Sequence, residues 1–158
     1  MRRADRGIGD FNEILDVLRR ADTMRLGLNG DPYPYVVPLS FGFEALDGNR
    51  IAVYFHGAAE GLKHELIKRD ARVCVEADIF HRYAARYDGG SCSITAEFES
   101  VIGYGTAETV ADAEAEHGMA LMLGHCGHPD FKYDIAALNA TKVYKVTLTA
   151  VMGKRRFI

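Results

Sequence analysis

The chain has 158 residues, of which 48% are hydrophobic and 26% are charged, a composition typical of globular proteins. The formal net charge of -3 argues against a general affinity for nucleic acids or membranes, and no apolar run approaches the roughly 20 residues of a membrane-spanning helix. We therefore expect a single domain, residues 1–158, with a core large enough to fold on its own.

The first third of the chain predicts a helix followed by two strands. Asp10 can cap a helix over Phe11–Arg20, where apolar residues recur at the spacing of an amphipathic helix. Alternating apolar and polar residues predict a strand over Met24–Leu28, and the NGDP sequence after it is typical of a turn. A second strand is predicted over residues 35–44. Pro38 should mark a sheet edge or a bulge there, because proline cannot donate a backbone hydrogen bond.

The middle of the chain predicts a hairpin, a helix and a further strand. The Asp-Gly pair at positions 47–48 is a strong hairpin signal and leads into a strand over residues 50–55. A helix is predicted to follow almost at once, over residues 58–69. Residues 71–78 alternate again and predict a strand, whereas the polar residues 81–90 predict a long loop.

The last third predicts two long strands around a helix. A strand is expected over residues 93–110, then a helix that Asp112 can cap and that runs to about Leu123. An irregular segment over 124–130, a short helix over 134–139 and a final strand over 144–152 are expected to follow. The alternating patterns and the hairpin turn favour antiparallel pairing. The fold predicted is mainly β with flanking helices, a six-stranded antiparallel Greek-key barrel.

The N-terminus and the cysteines predict the compartment. Basic residues at the start of the chain are followed by no apolar segment, so no secretory signal is expected. The three cysteines, Cys74, Cys92 and Cys126, are odd in number and widely spaced, which is typical of a reducing environment rather than of a disulfide framework. We expect a cytoplasmic protein.

The stretch VYFHGAAEGLKHELIKRD, which begins at position 53, is the strongest candidate for binding an anion. A helix N-terminus offers free N–H groups and a partial positive charge, and His56, Gly57 and Lys63 could complete a phosphate site there. The same residues are also typical of an ordinary strand-to-helix junction, because neither a GxGxxG sequence nor a P-loop is present. His56 and His64 do not have the spacing of a zinc site, so His64 is expected at the surface. On the same helix, the apolar side chains are expected in the core: Leu62, Leu66 and Ile67.

Two further clusters allow either a functional or an ordinary interpretation. His125 and His128 flank Cys126, with His117 upstream, and such ligands could hold zinc or a haem iron. No second ligand pair completes a metal set, so we expect no metal site and leave the roles of these three histidines open. The terminal GKRR sequence could deliver cations to a phosphate or simply be a solvated tail.

Several stretches of the chain, in order and over nearly its whole length, resemble the nitroimidazole-resistance (Nim) group of the pyridoxamine 5′-phosphate oxidase-like flavoproteins. The combination is specific, although no single motif would be. The stretches that carry the resemblance are YPYVVPLSFGFE, YFHGAAEGLK, ESVIGYG and the terminal GKRR.

The resemblance implies a split β-barrel that binds FMN in a groove between the two subunits of a homodimer. The flavin ring would lie along strand residues 37–40, and the phosphate would lie near His56 and Lys63. Ser100 and Arg155 would reach the partner's cofactor. The cofactor-binding residues implied in this way are Val37, Pro38, Leu39, Ser40, Tyr54, His56, Gly57, Lys63, Ser100 and Arg155.

The function implied is that of an FMN-dependent oxidoreductase acting on a small molecule, with nitroaromatic or nitroimidazole compounds as possible substrates. The cofactor carries the redox chemistry, and His56 is the best candidate proton donor. Two alternatives stay open: a flavin- or haem-binding protein without turnover, and a domain without a ligand. Residues 80–90 and 124–130 depart from the group's pattern, which leaves the substrate and the electron donor open.

Overall fold

A computed structural model describes residues 3–85, 94–134 and 141–158 of the chain. Eight strands and three α-helices make up the described part, with short 3-10 turns at Ala4–Arg6 and Asp47–Asn49. The strands are β1 (Gly7–Ile8), β2 (Met24–Leu28), β3 (Tyr35–Leu39), β4 (Gly42–Leu46), β5 (Arg50–Ala58), β6 (Arg72–Ala85), β7 (Ile94–Val110) and β8 (Thr141–Arg156). The helices are α1 (Phe11–Arg20), α2 (Leu62–Arg69) and α3 (Asp112–His125).

The strands form one antiparallel sheet in the order β3-β2-β6-β7-β8-β5-β4, with β1 added along β8. The two edge strands, β3 and β4, are consecutive in the chain and are separated only by Ser40 and Phe41. The sheet must therefore curl until its edges approach each other. This confirms the predicted barrel, with two corrections: the strands number eight rather than six, and the sheet is open rather than closed.

The core has two parts, one on each side of the sheet. The larger cluster includes Leu26, Phe55 and Leu148 and is sealed by the apolar face of α1. The smaller one lies under α3, where Ala52, Tyr54, Ala115, Met122 and Val143 pack together. A Cβ atom at Gly118 would lie 2.6 Å from the Tyr54 ring, so this glycine allows α3 to approach β5 closely.

The predicted cap of α1 and the predicted edge position of Pro38 are both confirmed. Asp10 caps α1, since its carboxylate accepts a hydrogen bond of 2.8 Å from the backbone of Asn12. Pro38 lies on an edge strand, as its missing donor requires, because β3 pairs only with β2 within the described residues. The single strand predicted for residues 35–44 is wrong, because the chain crosses at Ser40 and Phe41 from one sheet edge to the other.

Other predicted boundaries are wrong because long-range pairing extends the strands. β5 runs to Ala58 against β8, so α2 begins only at Leu62 and not at residue 58. Residues 81–85 belong to β6 rather than to a loop, since β7 pairs with them. The basic residues 154–156 form the end of β8 instead of a free tail. Residues 86–93 and 135–140, with Cys92 and most of the predicted 134–139 helix, lie outside the described residues.

The helix α2 contributes one face to the core. Leu66 and Ile67 are buried as predicted, but Leu62 is 53% exposed, so its assignment to the core is wrong. None of the helices in the described ranges is long and apolar enough to cross a membrane.

We expect Ile67→Ala to destabilise the protein far more than Leu62→Ala. Loss of a buried isoleucine side chain costs about 2–5 kcal/mol, because burial is lost and a cavity is left. Truncation of the exposed Leu62 should change the free energy of unfolding by less than about 0.5 kcal/mol. Urea denaturation followed by circular dichroism measures both values, and equal losses in the two variants would contradict this assignment of the α2 faces.

Candidate functional site

The side chain of Lys63 reaches back from α2 over the end of β5. Its Nζ atom lies 5.3 Å from the centre of the Phe55 ring and 3.4 Å from the carbonyl oxygen of His56. A Cβ atom at position 57 would lie 2.5 Å from that Nζ atom, so the absence of a side chain at Gly57 makes room for the ammonium group. The structure thus brings two of the predicted phosphate-site residues, Gly57 and Lys63, into contact.

The Lys63 ammonium group is well suited to receive an anion. Burial lowers the pKa of Lys63 below its ordinary value, since the charge has lost part of its hydration. Within the described residues its hydrogen bond is the long contact with the His56 carbonyl, which leaves further N–H donors for an oxyanion. An anionic oxygen bound at this position would compensate the positive charge of Lys63, which has lost part of its hydration.

The start of α2 adds backbone donors beside Lys63. Gly61 precedes the helix with a φ of 118°, a value that favours glycine, and no side chain in the described residues caps the helix at this end. The first N–H groups of a helix have no partner within it and carry partial positive charge. A phosphate group is the type of ligand that such a helix end and a lysine recognise together.

The edge strand β3 lies next to this helix end. A cleft of about 220 Å³ separates α2 from the segment before β3, and Tyr35, Leu62 and Leu66 are among its lining residues. Val36 and Pro38 face outward from β3, whereas Val37 and Leu39 turn toward the core, and Ser40 is exposed. A planar ligand could therefore extend from the helix end along the open edge of β3.

The side chain of His56 leaves β5 on the face opposite to Gly57, because neighbouring strand residues point to alternate faces. His56 is exposed, whereas Lys63 lies over the other face of the strand. Although the residue as a whole is exposed, partial desolvation of its ring is the main cause that lowers the pKa of His56, and the positive charge of Lys63 adds to it. The structure thus separates the histidine ring from the lysine, so the two side chains would meet different parts of a ligand.

Tyr54 has a structural role that the sequence motif did not reveal. Its ring is 1% exposed beneath α3, and its hydroxyl donates a hydrogen bond of 2.9 Å to Glu44. The same carboxylate lies 3.0 Å from the Nε2 atom of His117. Within this chain the Tyr54 side chain therefore belongs to the network that fastens α3 to β4 and β5, and its role in cofactor binding stays a prediction.

The histidines of α3 are held by protein partners. The Nε2 atom of His125 donates to the carbonyl oxygen of Ala21 at 2.8 Å, and its ring packs on Phe41 at 4.4 Å. His117 is engaged with Glu44. Within the described residues, no group of three or more histidine, cysteine or acidic side chains is arranged to hold a metal ion.

Ser100 and Arg155 lie at the other end of the sheet. On β8, Val143 pairs with His56 and Arg155 pairs with Glu99, so 12 positions separate them, roughly 40 Å of strand at 3.3 Å per residue. Arg155 also bonds the carboxylate of Glu13 on α1 at 3.2 Å. One chain therefore does not bring these two residues to Lys63.

Glu99, beside Ser100, is a buried carboxylate with two partners. Arg20 binds it through two nitrogens, at 2.7 Å and 3.1 Å, and His81 approaches it at 3.1 Å. The hydrogen bond from Arg20 is the main cause that lowers the pKa of Glu99, against the opposing effect of burial. This pair fastens the end of α1 to β7.

Two features of the surface were missed by the sequence reasoning. An open groove of about 870 Å³ runs across β2, β6 and β7, with Cys74, Arg72 and Tyr104 in its lining. A second pocket lies between α2 and the ends of β7 and β8 and contains His64 and Tyr144. Neither could be read from a motif, because strands far apart in sequence form each of them.

Comparison with protein families agrees with this geometry. The family model described as pyridoxamine 5′-phosphate oxidase matches residues 10–155, nearly the whole chain. The chain belongs to the pyridoxamine 5′-phosphate oxidase family. None of the curated proteins compared with the chain matches it.

Solved structures with the same fold superimpose well on the chain. A candidate 5-nitroimidazole antibiotic resistance protein from Bacteroides thetaiotaomicron is 29% identical, with a TM-score of 0.80 over 94% of this chain and 85% of that one. A flavocytochrome from Azotobacter vinelandii is 18% identical, with a TM-score of 0.80 over 100% and 72% of the two chains. A FAD and haem binding protein from Mycobacterium smegmatis is 18% identical, with a TM-score of 0.75 over 95% and 73%. The last two show the shared fold.

We expect acid to remove the stabilisation that Glu99 provides. Its pKa in the folded state lies below that of an unfolded glutamate, about 4.3, so the contribution is complete above that pH and is lost as the pH falls through the folded pKa. Glu99→Gln should lower the free energy of unfolding at neutral pH by about 1–3 kcal/mol and weaken its dependence on pH in acid.

Urea unfolding at a series of pH values between neutral and acid measures this effect. Glu13→Gln is the matched control, because the Glu13–Arg155 ion pair is solvent-exposed and contributes little. An unchanged acid dependence in Glu99→Gln would show that other carboxylates are responsible.

Proposed function

We propose that the protein binds FMN and reduces small molecules with it, nitroaromatic and nitroimidazole compounds among them. The observation that carries the proposal is the Lys63 ammonium group, half-buried over Gly57 beside the uncapped start of α2. Such a site suits a terminal phosphomonoester, which FMN has. The family match and the likeness to a candidate 5-nitroimidazole resistance protein support the same conclusion.

The residues fit the cofactor in two places. Lys63, Gly57 and the first N–H groups of α2 would hold the phosphate, and the free edge of β3 at Val37–Leu39 would offer backbone groups to the flavin ring. Ser40, exposed just after β3, could add a hydroxyl. FMN, when bound, supplies electron or hydride transfer. The protein's task is to orient it and to limit its contact with water.

We assign the role of proton donor to His56. Reduction of a nitro group to a nitroso group takes up an electron pair and a pair of protons and releases water. His56 is exposed at the end of β5 and points away from Lys63, so it can face a substrate without displacing the phosphate contacts. Its lowered pKa makes the proton easy to release, although it reduces the protonated fraction at neutral pH.

The complete site in this proposal needs two copies of the chain. Ser100 and Arg155 lie at the far end of the sheet from Lys63, so they could complete a cofactor site only on a partner subunit. Large apolar side chains are exposed near that end of the sheet, among them Phe80, Tyr83 and Ile94. Burial of such residues between two subunits is a common driving force for dimer formation.

Replacement of Lys63 should weaken FMN binding. Loss of a charged hydrogen bond costs about 1.5–3 kcal/mol, so Lys63→Ala should raise the Kd for FMN roughly 10- to 100-fold. Lys132→Ala, which removes an exposed lysine, is the control and should leave the Kd unchanged. Titration of flavin-free protein, followed by quenching of FMN fluorescence, measures both. A wild-type protein that binds no FMN, or equal Kd values in wild type and Lys63→Ala, would overturn the proposed phosphate site.

Replacement of His56 should slow proton-coupled reduction and change its pH dependence. Because the pKa of His56 lies below its ordinary value, the wild-type rate should fall as the pH rises through that lowered pKa. His56→Gln should reduce the rate by about 10²-fold or more and abolish this decline. Stopped-flow mixing of dithionite-reduced protein with a nitroimidazole, followed by flavin absorbance, measures the rate independently of the natural electron donor.

His128→Gln is the control for this experiment, since His128 is an exposed histidine distant in sequence from the site. An identical pH profile in wild type and His56→Gln would exclude His56 as the donor. A bound flavin that no nitro compound oxidises would instead favour a flavin-binding protein without turnover, and a Soret band in the purified protein would indicate haem.

A further inference from the structure

The side chain of His64 attaches the first turn of α2 to the barrel. Its Nδ1 atom lies 2.9 Å from the hydroxyl oxygen of Tyr144, and its Nε2 atom lies 3.3 Å from the Nζ atom of Lys142. A charged ammonium group can only donate, so Nε2 accepts and the ring proton is on Nδ1. His64 therefore donates a hydrogen bond to the Tyr144 oxygen, and its ring is joined to two residues of β8.

Tyr144 is a fixed anchor for this hydrogen bond. It lies on β8, which pairs with β5 on one side and β7 on the other, and its register partners there are Phe55 and Thr109. The residue is fully buried, and its ring stacks on Phe55 with the ring centres 4.8 Å apart and an angle of 8° between the planes. Since a close-packed ring between two paired strands has little freedom to move, the hydrogen bond determines where His64 lies.

The first turn of α2 depends on such tertiary contacts. The helix has only 8 residues, and no side chain in the described residues caps its N-terminus. Helices this short are marginal by themselves and are stabilised mainly by packing. Leu66 and Ile67 supply that packing in the second turn, whereas Leu62 is exposed in the first. His64 therefore gives the first turn a hydrogen bond to the core.

Lys63 and His64 are consecutive, and they contact two residues that lie opposite each other on paired strands. The Lys63 Nζ atom lies 5.3 Å from the centre of the Phe55 ring. The register partner of Phe55 is Tyr144, to which His64 is bonded. The first turn is thus attached at two adjacent points of one aromatic stack. A movement of the helix that broke the His64 hydrogen bond would also shift the Lys63 ammonium group from its place over Gly57.

We propose that His64 is a positioning residue for the anion site at the start of α2. It holds the first turn so that the Lys63 ammonium group and the free N–H groups of the helix are directed at one phosphate. The inference rests on the proposed function, since the phosphate in question is that of FMN. His64 acts through the helix backbone, because its own ring is directed to Tyr144 and Lys142.

A positioning role has an effect that a purely structural role does not have. Riboflavin has the same ring system as FMN but lacks the phosphate, so the ratio of the two Kd values reports on the phosphate site. Loss of a residue that positions the phosphate donors should change this ratio. Loss of a residue that only supports the fold should weaken the binding of both flavins or lower the free energy of unfolding alone.

The test is a titration of the flavin-free, full-length protein with FMN and, separately, with riboflavin, followed by quenching of flavin fluorescence. His64→Ala should raise the Kd for FMN roughly 3- to 10-fold, the effect of one hydrogen bond, and should leave the Kd for riboflavin unchanged. His64→Asn should recover most of the FMN affinity, because its amide nitrogen takes the place of Nδ1 and can donate to Tyr144. Lys68→Ala, at an exposed residue on the same flank of α2 as His64, is the control and should leave the ratio unchanged.

Tyr144→Phe removes the other partner of the hydrogen bond and keeps the stacked ring. It should raise the Kd for FMN by the same factor as His64→Ala. The two changes combined should have no greater effect than either alone, because they break the same hydrogen bond. Urea unfolding of each variant verifies that the protein used in the titration is folded.

The Lys63→Ala variant separates failure of this inference from failure of the proposed function. If Lys63→Ala abolishes the preference for FMN over riboflavin and His64→Ala retains it, the phosphate site stands and the positioning role of His64 is overturned. Equal increases in both Kd values for His64→Ala would also overturn the role, since His64 would then support only the fold. A wild-type protein without any preference for FMN would overturn both the phosphate site and the role of His64.

Discussion

The fold depends on one constraint, the very short connection between the two edges of the sheet. Seven strands side by side in a flat sheet would put β3 and β4 roughly 29 Å apart at the usual strand spacing. The link through Ser40 and Phe41 spans at most about 11 Å. The sheet must therefore curl, and the curl encloses the core. It also creates a seam, which is the boundary between the two edge strands β3 and β4. Phe41, fully buried against His125, anchors the link between the barrel and α3.

The seam has chemical consequences because, among the residues that the structure describes, it leaves one edge of β3 unpaired and brings that edge near α2. Along β5, successive side chains point to opposite faces of the sheet. Phe55 and Gly57 face the side on which Lys63 lies, and Tyr54 and His56 face the side of α3. One strand can thus present a cation for a phosphate on one face and a titratable ring on the other, although the charge of Lys63 still lowers the pKa of that ring.

Local patterns predicted the features that depend on neighbouring residues. The α1 cap at Asp10, the edge position of Pro38 and the alternation of the strands all have causes within a few residues of sequence. The late start of α2 could not be predicted in this way, because β5 is prolonged to Ala58 by pairing with β8, more than eighty residues away. The contact between Gly57 and Lys63 could be predicted from a sequence motif, because only six positions separate the two residues.

The side-chain environments of Tyr54 and His64 could not be predicted from sequence motifs. Tyr54 lies next to residues of the candidate site in sequence, yet strand alternation turns it under α3. His64 gave no signal beyond its spacing from His56 and was expected at the surface, but it is half-buried and bonded to Lys142 and Tyr144. Such partners meet only because β8 crosses beneath α2.

The Phe55–Tyr144 stack supports the proposed phosphate site from below. Lys63 lies over Phe55, and Tyr144 is linked through His64 to Lys142, so the stack joins β5 to residues of α2 and β8. Both rings are fully buried and nearly parallel, which leaves little freedom for either to move alone. The paired strands β5 and β8 therefore hold the Phe55 ring in a fixed position beneath the Lys63 ammonium group.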